Sequence, residues 1–217
     1  MEYLKPNELL KVFEYARQSG AREHAMFLLT YAHALRASEI AALTVEDVRN
    51  GHIRCNRGKG SQNTVEELRE HQHPLLNEKL VLAAWLRERG DGDGSVFLFT
   101  SRKGSRLTRQ QVYRLFRRCA ELAGIEDGRL NPHVLKHSYA SHLLRNGADL
   151  AFVQKALGHA HISSTTRYTH VTTSEAQNVS TRILANVFAA GQHSQVEPRA
   201  VSLTARRFPF PARLPRS

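Results

Sequence analysis

A mainly α-helical fold with one small antiparallel β-sheet is expected from three observations. Most of the chain places its apolar residues at helical spacing. His52 to Cys55 alternates instead, and a Gly58-Lys59-Gly60-Ser61 turn signal separates it from a second candidate strand, which places the small sheet near residues 52–74.

The elements follow in order. Leu9, Leu10, Phe13 and Ala16 share one face of a helix over 6–19, with Pro6 in its first turn and Gly20 to end it. A second apolar helix covers about 22–35, and a short one starting at Ser38 covers about 38–43. His52 to Cys55 forms the first strand, and a poorly defined second strand returns at about 63–68. Residues 77–89 read as a helix with Leu80, Ala84 and Trp85 inward. Val96-Phe97-Leu98-Phe99 reads as a buried strand or extended segment. Helices are expected again at about 108–123, 132–146, 149–157 and 173–188. Asn131 caps the second of these, with Pro132 in its first turn. From residue 191 the composition shifts: four of the seven prolines and five arginines fall in 191–217, with little apolar periodicity. The expected organisation is one domain over 1–190 and a flexible basic tail over 191–217.

The chain has 217 residues, 41% of them hydrophobic and 24% charged, which suits a packed core. No apolar stretch is long enough to cross a bilayer, and the first residues lack the apolar run of a secretion signal, so a cytoplasmic location is expected. Cys55 and Cys119 are far apart and belong to no CxxC pair, so they read as small core residues. The net charge of +11 points to a polyanionic partner, because neutralising phosphates releases counterions. Charge alone does not separate DNA from RNA or an acidic membrane.

Several residues carry possible chemistry. Arg36 stands at a helix start with Glu39 three residues on, an arrangement that is often only a solvated pair. Lys59 sits at a hairpin tip, where lysines are usually just solvated. His133 and Lys136 share a helix face. His159 follows a helix end at Gly158, and Tyr168 stands nine residues later in a polar turn. Together they bring basic groups and histidines from four separated segments, with a tyrosine and no carboxylate cluster for a divalent ion. That set suits metal-free phosphoryl transfer through a covalent nucleophile.

The segment Pro132-His133-x-x-Lys136-His137-Ser138-Tyr139-Ala140-Ser141-His142-Leu143-Leu144 resembles a catalytic box of the tyrosine recombinase (phage integrase) family. So do Asn146-Gly147-Ala148-Asp149, Leu157-Gly158-His159 and Thr166-Arg167-Tyr168-Thr169-His170. Leu35-Arg36-Ala37-Ser38-Glu39-Ile40 resembles that family's first arginine box. The resemblance runs from about residue 4 to 190. It implies the fold of a DNA breaking-rejoining catalytic domain, and site-specific recombination through a 3′-phosphotyrosine intermediate. In that scheme Arg36 binds the scissile phosphate and Glu39 orients it. Lys59 protonates the leaving 5′ oxygen, and His133 assists proton transfer near the tyrosine. Lys136 and His159 contact the phosphate, and Tyr168 is the nucleophile. No metal or nucleotide cofactor is implied. Double-stranded DNA is the implied partner, bound by a homo-tetramer on paired sites, with the apolar stripe of the 173–188 helix available for docking.

Two features depart from the family pattern. Lys136 stands where an arginine is usual; it keeps the charge and loses the planar two-pronged fork. The N-terminal core-binding domain is absent, as in the short fimbrial phase-switch recombinases, or as in a fragment of a longer protein. Arg102, Lys103, Arg106, Arg109, Arg114, Arg117 and Arg118, with no acid among them in 101–118, are expected to face DNA backbone or solvent. Two other readings remain open here. One is a zinc protein, since six of the twelve histidines fall between His133 and His170 and His133/His137 have i, i+4 spacing. The other is a catalytically impaired DNA-binding accessory protein of the same fold, which the lysine at 136 keeps in play.

Overall fold

The computed structural model describes residues 3–58, 63–90, 94–126 and 128–157, with the Leu150 side chain also outside the description. The elements run α1 (Pro6–Ser19), α2 (Ala21–Ala32), α3 (Ala37–Ile40), β1 (His52–Cys55), β2 (Thr64–Glu67), α4 (Glu78–Arg89), α5 (Arg109–Leu122), α6 (His133–Arg145) and α7 (Leu150–Ala156). The mainly helical fold and its two-stranded antiparallel sheet stand as expected. Among the described residues no helix is long and apolar enough to cross a membrane.

Helix α2 is the centre of the domain. Every residue from Glu23 to Ala32 is buried, because α1, α4, α5 and α6 pack around it. A helix apolar on nearly all sides has no other stable location in a water-soluble domain. Aromatic rings lock it to its neighbours. Phe27 meets Phe116 of α5 edge-on at 5.3 Å, and Tyr31 meets Tyr139 of α6 edge-on at 5.7 Å. The Tyr31 hydroxyl lies 2.8 Å from His142 Nδ1, and His142 Nε2 lies 2.9 Å from Leu4 O. Burial pushes the His142 pKa down to about 4, so the ring is neutral. Nε2 then carries the proton given to Leu4 O, and Nδ1 accepts from the tyrosine. Leu4 N also donates to Ser138 Oγ at 2.8 Å, so both backbone groups of Leu4 are held by α6.

Several boundaries and faces differ from the sequence reading. Helix α2 stops at Ala32, three residues early, in a turn where Leu35 N bonds Thr30 O and Ala34 N bonds Tyr31 O. That pair of bonds is a Schellman closure with Ala34 at φ +50, a conformation usually left to glycine. Helix α3 begins at Ala37, capped by Arg36. In α4, Trp85 faces inward as expected, but Leu80 is 62% exposed and Ala84 is also exposed; Val81 and Leu82 face inward in their place. Residues 96–99 form no strand of their own. Val96 is exposed, Phe97 makes one isolated bridge with Thr44, and Trp85 Nε1 holds Leu98 O at 3.0 Å. At the start of α6, Pro132 takes the cap position, and Asn131 Oδ1 accepts the His133 N–H at 3.0 Å. Cys55 and Cys119 are buried and free, as expected of core residues.

The hairpin is attached to the helices by charge. His33 lies buried between two carboxylates, Nδ1 at 3.0 Å from Glu66 Oε2 and Nε2 at 2.8 Å from Glu78 Oε2. Arg69 reaches Glu66 at 3.2 Å and Glu78 at 3.4 Å, and donates to Ala32 O at 2.9 Å. Burial opposes the charge on Glu66, yet His33, Arg69 and Arg57 win and hold its pKa down at about 2. Burial likewise opposes the charge on His33, and the flanking carboxylates outweigh it and raise its pKa. Removing one member of such a cluster strands its partners in a medium that solvates them poorly. Glu78→Ala is expected to cost about 3–5 kcal/mol of unfolding free energy, measurable by urea denaturation at neutral pH. A loss within experimental error would show that water reaches the cluster.

Candidate active site

Arg36 leaves the strained turn after α2 in an extended conformation and caps α3. Glu39, three residues on, accepts the Arg36 backbone N–H at 2.8 Å and its Nη1 at 2.6 Å. The carboxylate also accepts the Gly58 N–H at 3.4 Å, which brings the base of the hairpin beside the arginine. Burial works to raise the Glu39 pKa; its bonds to Arg36 and Gly58 dominate and lower it. The arginine side chain remains 35% exposed while Glu39 is buried. Glu39 thus fixes one end of the guanidinium, and the side chain keeps part of its surface accessible.

Helix α6 supplies the next two groups. His133 is exposed in the first turn, with its ring edge-on to His137 at 4.5 Å. Partial desolvation, then the charges of His137, Lys136 and Arg36, lower its pKa against the pull of Glu39. A neutral imidazole able to accept a proton results. One turn on, Lys136 is only 3% exposed, and its Nζ donates to Leu157 O at 2.9 Å. Burial first, then Arg57 and Arg36, lower its pKa to about 8, with Glu39 opposing. Lys136 is therefore not a surface lysine on a polar helix face. It lies in the same electrostatic neighbourhood as Arg36, Glu39 and His133.

The structure thus brings together Arg36, Glu39, His133 and Lys136. Lys59, His159 and Tyr168 lie outside the described residues, as do the 173–188 helix and the 191–217 tail. Arg57 is a residue the sequence reading missed. The period-2 register that buries Ile53 and Cys55 continues inward to position 57, and that was the available signal.

The basic stretch over 101–118 is exposed at every one of its seven cations. Arg106 is partly committed to structure, since it donates to Ala41 O and Ser38 O, both at 3.2 Å. Arg109, Arg114 and Arg117 of α5 line a groove of about 600 Å³ with Tyr113, Leu130 and Asn131, and this groove ends at the start of α6. As for a metal, one set of three ligand-type side chains comes together among the described residues: His33, Cys55 and Glu66. Both His33 nitrogens there already face carboxylates, and the Cys55 thiol is pushed up to about 12 by burial. That set does not fit a metal ion, whose cysteine ligand must be a thiolate.

A helical domain with a two-stranded hairpin whose base adjoins an arginine–glutamate pair has close structural counterparts among site-specific recombinases. The XerH site-specific recombinase, solved in a post-cleavage complex with its palindromic difH substrate, superposes with a TM-score of 0.62 at 27% identity. The match covers 81% of this chain and 51% of that one. The model of the phage integrase family matches residues 2–175, and the chain belongs to that family. It is 37% identical over 182 residues to the tyrosine recombinase XerD of Yersinia pestis, covering 82% of this chain and 55% of the relative. It is 40% identical over 174 residues to the tyrosine recombinase XerC of Roseiflexus castenholzii, covering 77% and 54%. The chain therefore spans about half the length of these curated relatives. The family resemblance carried by the arginine, histidine–lysine and tyrosine boxes is borne out.

Proposed function

We propose that this chain is the catalytic domain of a site-specific DNA recombinase that cuts and rejoins strands through Tyr168. The observation that carries the reading is the meeting of Arg36, Glu39, His133 and Lys136 at the base of the hairpin, where Gly58 immediately precedes Lys59 in the sequence. In the proposed reaction the Tyr168 hydroxyl attacks the scissile phosphorus, and its proton leaves with help from His133. A phosphotyrosine bond forms as the bond to the 5′ oxygen breaks, and Lys59 protonates that oxygen. Arg36, Lys136 and His159 hold the non-bridging oxygens, whose charge grows in the transition state. A 5′ hydroxyl from a second strand reverses the sequence and releases the tyrosine. Bond energy stays in the covalent link, so no nucleotide cofactor enters.

The polyanion implied by the +11 charge is, in this reading, double-stranded DNA. The α5 arginines supply backbone contacts that set register without reading bases. Strand exchange needs two sites, and a homo-tetramer assembled through Val179, Ile183, Leu184, Val187 and Phe188 belongs to the same proposal. The test is a nicked suicide substrate carrying the native site. A covalent protein–DNA band is expected, along with a slower complex holding two DNA duplexes that Leu184→Glu with Phe188→Glu removes. Binding without any covalent band would instead make the chain a DNA-binding accessory protein. A two-duplex complex that survives the double variant would remove the 173–188 helix from the assembly.

A further inference from the structure

Arg57 follows β1 and enters the core with its side chain fully buried. Its Nη2 donates to His33 O at 3.0 Å and its Nη1 to Leu157 O at 3.2 Å, with Ala34 O and Ala156 O each at 3.5 Å. Glu66 Oε1, at 3.8 Å, supplies a counter-charge, and Nε has no partner among the described residues. Burying a guanidinium in this way is costly, and an apolar side chain of similar volume would fill the space more cheaply. The carbonyls it binds explain its presence. His33 is the C-cap of α2, and Ala156 and Leu157 close α7. Helix C-termini present unpaired carbonyls and partial negative charge, so one cation here satisfies two helix ends at once. Arg36 lies two residues beyond Ala34, and the segment bearing His159 begins one residue beyond Leu157.

We propose that Arg57 is a positioning residue whose guanidinium clamps the C-terminal end of α2 to that of α7, fixing Arg36 relative to Leu157 O, the acceptor of Lys136. The clamp rests on the functional reading above. It also acts on Lys136, because Arg57 Nη1 and Lys136 Nζ share Leu157 O as acceptor. Among the described residues, the groups facing Lys136 are Arg57 at the hairpin base, Arg36 and Glu39 around α3, and His133 and His137 on its own helix. Arg57 is the like charge bound to the same oxygen, so its removal should favour the ammonium form.

The experiment compares Arg57→Met and Arg57→Lys with the parent in the full chain. It follows single-turnover cleavage across pH, DNA affinity and thermal melting. Arg57→Met is expected to slow cleavage about 100-fold, the cost of a small misplacement of reacting groups. DNA affinity should hold, since Arg57 is buried away from any phosphate. The alkaline limb of the pH profile should move upward while the melting temperature stays near the parental value; an upward limb with a large loss of melting temperature would reflect water entering the site instead. Arg57→Lys keeps the charge without the fork, so it should restore the parental limb and leave the rate reduced. A folded Arg57→Met protein with parental rate and parental limb overturns the clamp. If Arg57→Met does not fold, a parental rate in Arg57→Lys overturns it equally. If the parent forms no covalent adduct, it is the functional reading that fails. Amide exchange at Leu35 and Leu157, each bonded back into its own helix, then reports on the clamp directly. Faster exchange in Arg57→Lys supports it, and unchanged exchange removes it.

Discussion

Tyr168→Phe is expected to abolish the covalent protein–DNA adduct while leaving DNA binding intact. The substitution removes one oxygen and leaves the ring itself unchanged. Affinity for the duplex comes from phosphates neutralised by lysine and arginine, and none of those side chains changes. The expected rate loss is on the order of 10⁶-fold, the size reached when a covalent nucleophile is deleted and no other group can replace it. The measurement is denaturing gel analysis of a nicked substrate, with a gel-shift titration run in parallel at one salt concentration. An adduct that persists in the phenylalanine protein assigns the nucleophile to another residue, and the tyrosine box then loses its role.

The second large effect concerns Lys136. A phosphoryl transition state concentrates charge on the non-bridging oxygens, and a fixed donor there gains more from the transition state than from the ground state. Lys136→Ala should raise the barrier by about 2–4 kcal/mol, the range found for losing one such donor. The structure adds a pH signature. Only the ammonium form can serve the phosphate, and a pKa of about 8 means that this form is present below pH 8 and lost as pH rises through it. The parent measured below saturation, where the free enzyme's ionisation governs the rate, should therefore decline above about pH 8. Lys136→Arg cannot be deprotonated in this range, so it should retain or raise cleavage at neutral pH and show no such decline. Equal cleavage by the alanine protein and the parent would place Lys136 outside the site despite its burial.

Much of this was legible from the chain alone, for physical reasons that differ by element. Helices α1, α5 and α7 carry clean apolar stripes and ordinary caps, so their spans agree with the pattern to within a residue or two. The end of α2 was not legible, because Ala34 adopts a turn conformation that composition assigns to glycine. Strand β2 read as poorly defined for a similar reason. Its Val65 is 53% exposed, and Glu66 points inward as the counter-ion of Arg57, Arg69 and His33. Hydrophobic patterning assumes that buried means apolar, and there it inverts. The same inversion hid Arg57. Leu80 misled in the opposite direction: an exposed leucine on α4 carries no signal by which sequence could distinguish it from core. The site boxes were legible because their residue types are unusual in combination. The acceptor of Lys136 was not, since a backbone carbonyl 21 residues away leaves no trace in composition.

The charged attachment of the hairpin has a thermal consequence. The hydration of ions becomes less favourable as temperature rises, so the penalty for burying Arg57, Glu66, Arg69 and Glu78 shrinks on warming. The apolar packing around α2 follows a different curve, weakening in the cold and levelling off in the heat. The strand pair and the helix bundle therefore answer temperature on separate schedules. Warming thus shifts the balance toward the charged join beneath Arg36.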